Sequence, residues 1–419
     1  MARSHDISKQ VVWHAYQRVK ANKGAAGIDG QTIEDFEQGL KGHLYKIWNR
    51  LTSGSYLPPA VMAVTIPKRS GGTRVLGIPT LSDRIAQTVV KMHLEPILEP
   101  CFHEDSYGYR PGKSAIQAVS KTRQRCRRYD WLYEFDIKGA FDNIDHALLM
   151  RALRKHTDSE WVLLYIERWL TAPMQHPDGV IEQRSRGTPQ GGVISPLLMN
   201  LFLHYVFDKW MAVHEPRLRF ARYADDAVVH CSTLRDAQRL QEVLKKRFEE
   251  CGLELHPEKS KIVCCKAHRS GIDYPVSKFE FLGYEFRLRT AVTREGRKFV
   301  QMMPAISPSS AKAIRKEIRS WSIQNRSDKS IDDLSRMFGA KLRGWINYFG
   351  HFYKSALYPT FYNLNRKLVK WATRKYKKLR RRPRRAHYWL GSIARRQPDL
   401  FPHWQLLGLR PAIGITGAG

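Results

Sequence analysis

Apolar and polar positions alternate along this chain with two different periods, and the changes of period mark its elements. Val11, Val12, Trp13, Tyr16 and Val19 recur at helical spacing within residues 6–52, and the stretch Gly24 to Gly30 interrupts them as a turn. Residues 61–79 alternate as two strands joined by Arg69-Ser70-Gly71-Gly72. Helical spacing returns over Leu81–Leu98, Ser114–Arg128 and residues 234–250, and a short apolar run ends at Asp136 like a buried strand. Phe220 to His230 reads as a tight hairpin: an aromatic run, Asp225-Asp226, then β-branched residues. Gly187 to Gly192 leads into the apolar helix Leu197–Phe202. Beyond Met303 three amphipathic helices follow, marked by Ile314, Ile318 and Trp321, by Leu334, Phe338, Leu342, Trp345 and Phe349, and by Phe361, Leu364, Leu368 and Trp371. The pattern predicts an α+β chain that gives way to an all-helical end.

Composition narrows the partners. With 419 residues and 42% apolar content the chain can bury two or three cores. Its formal charge of +32 points to a polyanion, nucleic acid above all, with an anionic membrane surface as the alternative. No apolar run approaches the roughly 20 residues needed to span a bilayer, and the N-terminus lacks a signal-peptide pattern. From Ile306 to Gly419 there are 25 Lys and Arg against 5 Asp and Glu, so +20 of the +32 lies there. Nine of the twelve residues Arg374 to Arg385 are basic, which suggests a flexible phosphate-binding arm. Lys121, Arg123, Arg125, Arg127 and Arg128 form a second basic face, for nucleic-acid backbone or simply for solvent. The six cysteines show no C-x-x-C spacing, which fits a reducing cytoplasm and argues against a disulfide framework or a cysteine zinc site.

The candidate chemistry lies in the acids. A lone Asp-Asp turn is usually a solvated surface feature, but here a second acid, Asp136, closes a strand upstream. Adjacent strand side chains face opposite ways, so a hairpin tip is what lets Asp225 and Asp226 approach one site. Carboxylates held close repel each other and need a cation to stay ionised. Asp136, Asp225 and Asp226 suit two Mg²⁺ ions, which take oxygen ligands and keep waters for substrate phosphates. Such a pair activates an attacking hydroxyl and stabilises a leaving pyrophosphate, the chemistry of nucleotide polymerisation.

Six blocks in order carry a resemblance: Ile66-Pro67-Lys68 with Gly71-Gly72-Thr73-Arg74 and Gly77-Ile78-Pro79; Ser106 to Gly112; Asp136 to Phe141; Gly187 to Gly192 with Ser195-Pro196-Leu197; Tyr223 to Asp226; and Phe281 to Tyr284. With them the chain resembles the group II intron-encoded reverse transcriptase/maturases. The resemblance implies a right-hand polymerase. It assigns residues 1–60 to an N-terminal extension over template and primer, 61–300 to fingers and palm with a mixed sheet, 301–385 to a helical thumb or maturase domain with its basic arm, and 386–419 to a tail. Gly344 to Phe349 matches a thumb signature, and Phe279 to Phe286 a primer grip.

For individual residues the resemblance implies that Lys68 and Arg74 grip the triphosphate of the incoming dNTP, as an ammonium and a guanidinium fork suit phosphate oxygens. Phe141 becomes the gate that collides with a 2′-hydroxyl, the group that separates RNA from DNA precursors. Gln190 lies near the incoming nucleotide, in a turn that otherwise reads as a plain helix entry. Lys259 matches a position that protonates the leaving pyrophosphate, or is a surface lysine. The implied partners are group II intron RNA, an RNA template with a DNA primer, a DNA target and dNTPs, in a bacterial cytoplasm. Many such proteins end in an endonuclease domain built on Cys pairs and His residues, and nothing after residue 385 offers those ligands. Two rival readings are a splicing-only maturase, which would have lost its acids, and a domesticated repair, defence or diversity-generating reverse transcriptase.

Overall fold

The computed structural model describes residues 6–67, 72–266, 274–292 and 295–408. The chain divides into two compact units, Met1–Ala118 with Trp131–Ile262, and Val119–Asp130 with Val263–Gly419.

In the first unit, side-chain oxygens start several helices. Ser8 caps Lys9–Ala21, Thr32 forms a capping box with Asp35 at Ile33–Gln38, and Thr80 caps Leu81–Leu98. The alternating segment forms an antiparallel hairpin, Val61–Pro67 with Thr73–Ile78, whose first strand also runs parallel to Met174–Gln175. Lys68 and the turn residues Arg69, Ser70 and Gly71 lie outside the described residues. Behind the hairpin, Leu81–Leu98 is buried through most of its length, and its Asp83 is a hub. One oxygen of Asp83 accepts from Tyr56 Oη (3.0 Å) and Trp169 Nε1 (2.7 Å), the other from Gln87 Nε2 (2.9 Å). Burial pushes the Asp83 carboxyl up to about 6, against the pull of these three donors.

A second sheet holds the acids. Trp131–Phe135 pairs antiparallel with Asp226–Cys231, which pairs antiparallel with Arg219–Tyr223. Leu234–Glu250 covers one face with Ala237, Leu240, Leu244 and Phe248, as its amphipathic spacing requires. The outer strand is locked by a buried ion pair. Arg222 is 1% exposed and its guanidinium donates to both oxygens of Asp208, at 2.7 and 2.5 Å, and to the carbonyl of Ala224 at 3.0 Å. Asp208 reaches it from a π-helical turn, His204–Asp208, that follows the buried helix Ser195–Leu203. Burial alone would raise the Asp208 carboxyl, but the charge and hydrogen bonds of Arg222 hold it below the usual carboxylate range.

The second unit combines a three-stranded antiparallel sheet, Lys278–Phe281, Tyr284–Val292 and Lys298–Ile306, with the helices Pro308–Ser320, Ile331–Phe349, Tyr358–Lys375, Pro383–Arg396 and Pro402–Leu406. The three apolar stripes meet in one core. Trp321 stacks on Phe338 at 4.2 Å and on Trp345 at 5.6 Å between ring centroids. Tyr284 Oη donates to the carbonyl of Tyr348, and Tyr348 Oη donates to that of Leu282 (2.8 Å). The Gly344–Phe349 signature thereby pins the Phe281–Tyr284 turn, where Leu282 and Gly283 both adopt positive φ.

Two charge expectations are corrected. The Arg374–Arg385 block is not a flexible arm: it spans the end of one helix, a 3₁₀ turn at Lys377–Leu379 and the start of Pro383–Arg396, which buries Ala386, Leu390, Ile393 and Ala394. A charge count misses this because the anchoring apolar residues follow the arginines. Arg125 is buried, so the basic face expected there lacks one of its members. Among the described residues no helix is long and apolar enough to cross a membrane.

Removing one partner of a buried pair strands the other charge. Arg222→Met should therefore lower unfolding stability by about 3–5 kcal/mol, and adding Asp208→Leu should recover most of the loss. Denaturant titrations of the single and double variants check this; equal stability of Arg222→Met and wild type would contradict it.

Candidate active site

Strand register brings the acids together. Tyr223 pairs with Asp226, so Ala224 and Asp225 form a two-residue turn, with Ala224 at φ +56°. Phe135 pairs with Ala227, which sets Asp136, one residue beyond the strand, beside that turn. The backbone of Asp136 is tied down where its carbonyl accepts the N–H of His256 (2.8 Å), and Ile137 bridges Leu255. Lys259, on the same loop as His256, donates from Nζ to Asp136 Oδ2 at 2.6 Å. A hairpin tip, a strand end and a lysine loop thus converge.

The electrostatics of the convergence are unfavourable to the acids. Withdrawal from bulk water and then the charges of Asp225, Asp136 and Glu134 push Asp226 up to about 7, although its outer edge stays open to solvent. Asp225 is raised by the same withdrawal and by Asp136, with Lys259 and Arg222 opposing. Hard, all-oxygen donors under mutual repulsion fit a divalent cation of the Mg²⁺ type. Among the described residues no group of three or more His, Cys, Asp or Glu side chains is placed to hold a metal ion. Mg²⁺ sites that take only one or two protein carboxylates complete their shell with water and substrate phosphate.

The segments that carry Phe141 and Gln190 are tied together. The N–H of Thr188 donates to the carbonyl of Phe141 (2.8 Å), and Gln190 Nε2 donates to Asp142 Oδ2 (3.1 Å). Gly187, at φ +77°, lies so close to Asp142 that a Cβ would stand 2.5 Å from its carbonyl oxygen, so only glycine fits. Gly77 donates its N–H to the carbonyl of Gln190 (2.8 Å), which ties the same turn to the strand carrying Arg74. Arg74 is exposed, and Lys68 lies outside the described residues.

Sequence reasoning missed Gln87. Its Oε1 accepts the N–H groups of Val193 (2.8 Å) and Ile194 (3.3 Å), at the end of the Gln190 turn. Asp83 accepts from the Gln87 amide nitrogen, which leaves Oε1 facing the turn and fixes the amide orientation. The signal was present as an acid and an amide four residues apart on one helix, but their burial was not legible. Asp142 and Arg222 were missed likewise.

Two family matches accompany this geometry. Residues 66–286 match the reverse transcriptase (RNA-dependent DNA polymerase) family, and residues 311–389 match the group II intron maturase-specific domain. The chain is 37% identical over 248 residues to Protein YkfC of Escherichia coli, covering 50% of this chain and 64% of that protein. It is 35% identical over 231 residues to the group II intron-encoded protein LtrA of Lactococcus lactis, covering 53% of this chain and 36% of LtrA. A putative COX1/OXI3 intron 1 protein of Saccharomyces cerevisiae is 30% identical over 197 residues, 47% of this chain and 23% of its own length. The matches thus span less than two thirds of each of these relatives. With acids, turn and strand order in place and more than half its length matched, the chain belongs to the reverse transcriptase family, in the group that joins this domain to a group II intron maturase-specific domain.

Proposed function

We propose that this protein is an RNA-directed DNA polymerase that also binds a group II intron RNA, assists its splicing and copies it during mobility into a DNA target. The carrying observation is the convergence of Asp136 with Asp225 and Asp226 at the ends of paired strands, where their charges repel one another. In this reading the three acids hold two Mg²⁺ ions, which supply Lewis-acid activation of a primer 3′-hydroxyl and charge neutralisation at the leaving pyrophosphate. Arg74 and Lys68 grip the triphosphate. Phe141, half-buried and anchored through its carbonyl, excludes a 2′-hydroxyl. Gln190 lines the nucleotide site from a turn that Gln87 and Gly77 hold in place. Lys259 Nζ, hydrogen-bonded to Asp136, gives its proton to pyrophosphate.

The maturase part rests on the match over residues 311–389 and on the charge of the last 114 residues. Structured RNA is read mainly by shape and phosphate contacts, which a broad basic surface supplies. We assign residues 1–60 to an N-terminal extension, 61–300 to fingers and palm, and 301–385 to the thumb or maturase domain. Six cysteines without C-x-x-C spacing fit action in a bacterial cytoplasm.

Primer extension on an RNA template tests the polymerase. Asp225→Ala should cut extension about 10³-fold or more, since metal-held charge stabilisation is worth several kcal/mol and each 1.36 kcal/mol is tenfold. Ordinary extension by that variant would sink the assignment. Phe141→Ala should raise use of rNTP relative to dNTP by about 10- to 100-fold in a competition assay; unchanged discrimination would remove Phe141 as the gate. Gln87→Met should raise the KM for dNTP about tenfold, the cost of unpairing two buried N–H groups, while leaving primer–template affinity intact. An unchanged KM would show that the turn does not depend on it. Binding of the flanking intron RNA should fall by at least about 10³-fold between 50 and 200 mM salt, and a flat salt response would count against the maturase reading.

A further inference from the structure

Tyr109 occupies a backbone conformation that a tyrosine avoids. Its φ is +55°, in the left-handed region that bulky L-residues rarely enter. Its neighbours impose it. The N–H of Tyr107 donates to the carbonyl of Arg222 (2.8 Å) and its hydroxyl to Asp105 Oδ1 (3.0 Å). Gly108 lies against the backbone of Tyr223 and Ala224 with no room for a Cβ, and its carbonyl accepts from Asn200 Nδ2 (2.7 Å). On the other side, the Arg110 guanidinium donates to the Glu99 carboxylate (2.7 and 3.0 Å) and to the carbonyls of His103 (2.6 Å) and Ser106 (2.7 Å).

Between these clamps the Tyr109 side chain is 53% exposed. A residue needed only for this turn would be glycine or asparagine; strain retained at an exposed ring is a mark of function. The ring centroid stands 6.3 Å from that of Tyr223, beside the Ala224-Asp225 turn. After partial burial, Asp225 and Asp226 disfavour ionisation of its hydroxyl and Arg74 favours it, so Tyr109 lies within the field of both the acids and the triphosphate-gripping strand.

We propose that Tyr109 is a rigid stacking platform for the nascent base pair, its ring packing on the pair formed between the incoming dNTP and the templating base beside Asp225. The proposal rests on the polymerase reading and adds a substrate-contacting residue to it. Stacking suits this place because every base offers a π-face, so the contact is strong and sequence-tolerant. The imposed φ holds the ring in position before substrate arrives, so that little side-chain entropy is lost on binding.

The test is single-nucleotide incorporation by the full chain on a DNA-primed RNA template with 2-aminopurine at the templating position. Tyr109→Phe should stay within about twofold of wild type, while Tyr109→Ala raises the KM for dNTP about tenfold or more and affects kcat less. Tyr109→Gly, for which φ +55° is unstrained, should match the alanine variant in KM while its thermal midpoint does not fall below wild type. Fluorescence of 2-aminopurine should be quenched on dNTP binding by wild type and Tyr109→Phe, and spared by the other two. Wild-type KM and quenching in Tyr109→Ala and Tyr109→Gly would overturn the proposal, as would a KM loss that only follows a fall in thermal midpoint. Failure of the wild type itself to extend the primer would overturn the polymerase reading and this proposal with it.

Discussion

Repulsion among carboxylates is the constraint on which this structure turns. Asp136, Asp225 and Asp226, with Glu134 behind them, are held at the meeting point of paired strands where water is partly withdrawn. Lys259 answers Asp136, yet Asp226 is still driven up to about 7. In the proposed polymerase a divalent cation relieves this repulsion. The +32 charge of the whole chain draws polyanions in.

Holding the cluster in shape falls to buried polar networks. Arg222, paired with Asp208, fastens the hairpin, and its backbone forms a bridge with Ser106. Asp83 and Gln87 do the same for the Gln190 turn, where one carboxylate sets the direction of one amide, and the amide holds two backbone N–H groups. These interactions fix positions more than they add stability, since a buried pair returns little beyond its desolvation cost. The left-handed Ala224 lies against Gly108, the residue before the left-handed Tyr109, so local strain is concentrated where the acids are.

Much of this was legible in the sequence. Leu81–Leu98 and Leu234–Glu250 follow their apolar spacing from end to end, and the Asp225-Asp226 hairpin follows from a β-branched run after an aromatic one. Asp136 could be placed because a strand-end acid and a hairpin tip become neighbours once their strands pair. Gln87, Asp142 and Arg222 could not, because their importance lies in partners about 106, 48 and 14 residues away, a tertiary property without local period. The basic stretch Arg374–Arg385 misled for a related reason. Charge density suggested a loose arm, whereas burial of Ala386, Leu390 and Ile393 just beyond it secures a helix.

In the proposed polymerase the three acids form an incomplete site that divalent cations complete. Mn²⁺ titration followed by electron paramagnetic resonance, with primer, RNA template and dNTP present, tests it most directly. Two Mn²⁺ ions should bind per chain in the wild type, and Asp136→Ala should lose that binding. Equal Mn²⁺ binding by wild type and Asp136→Ala would contradict it.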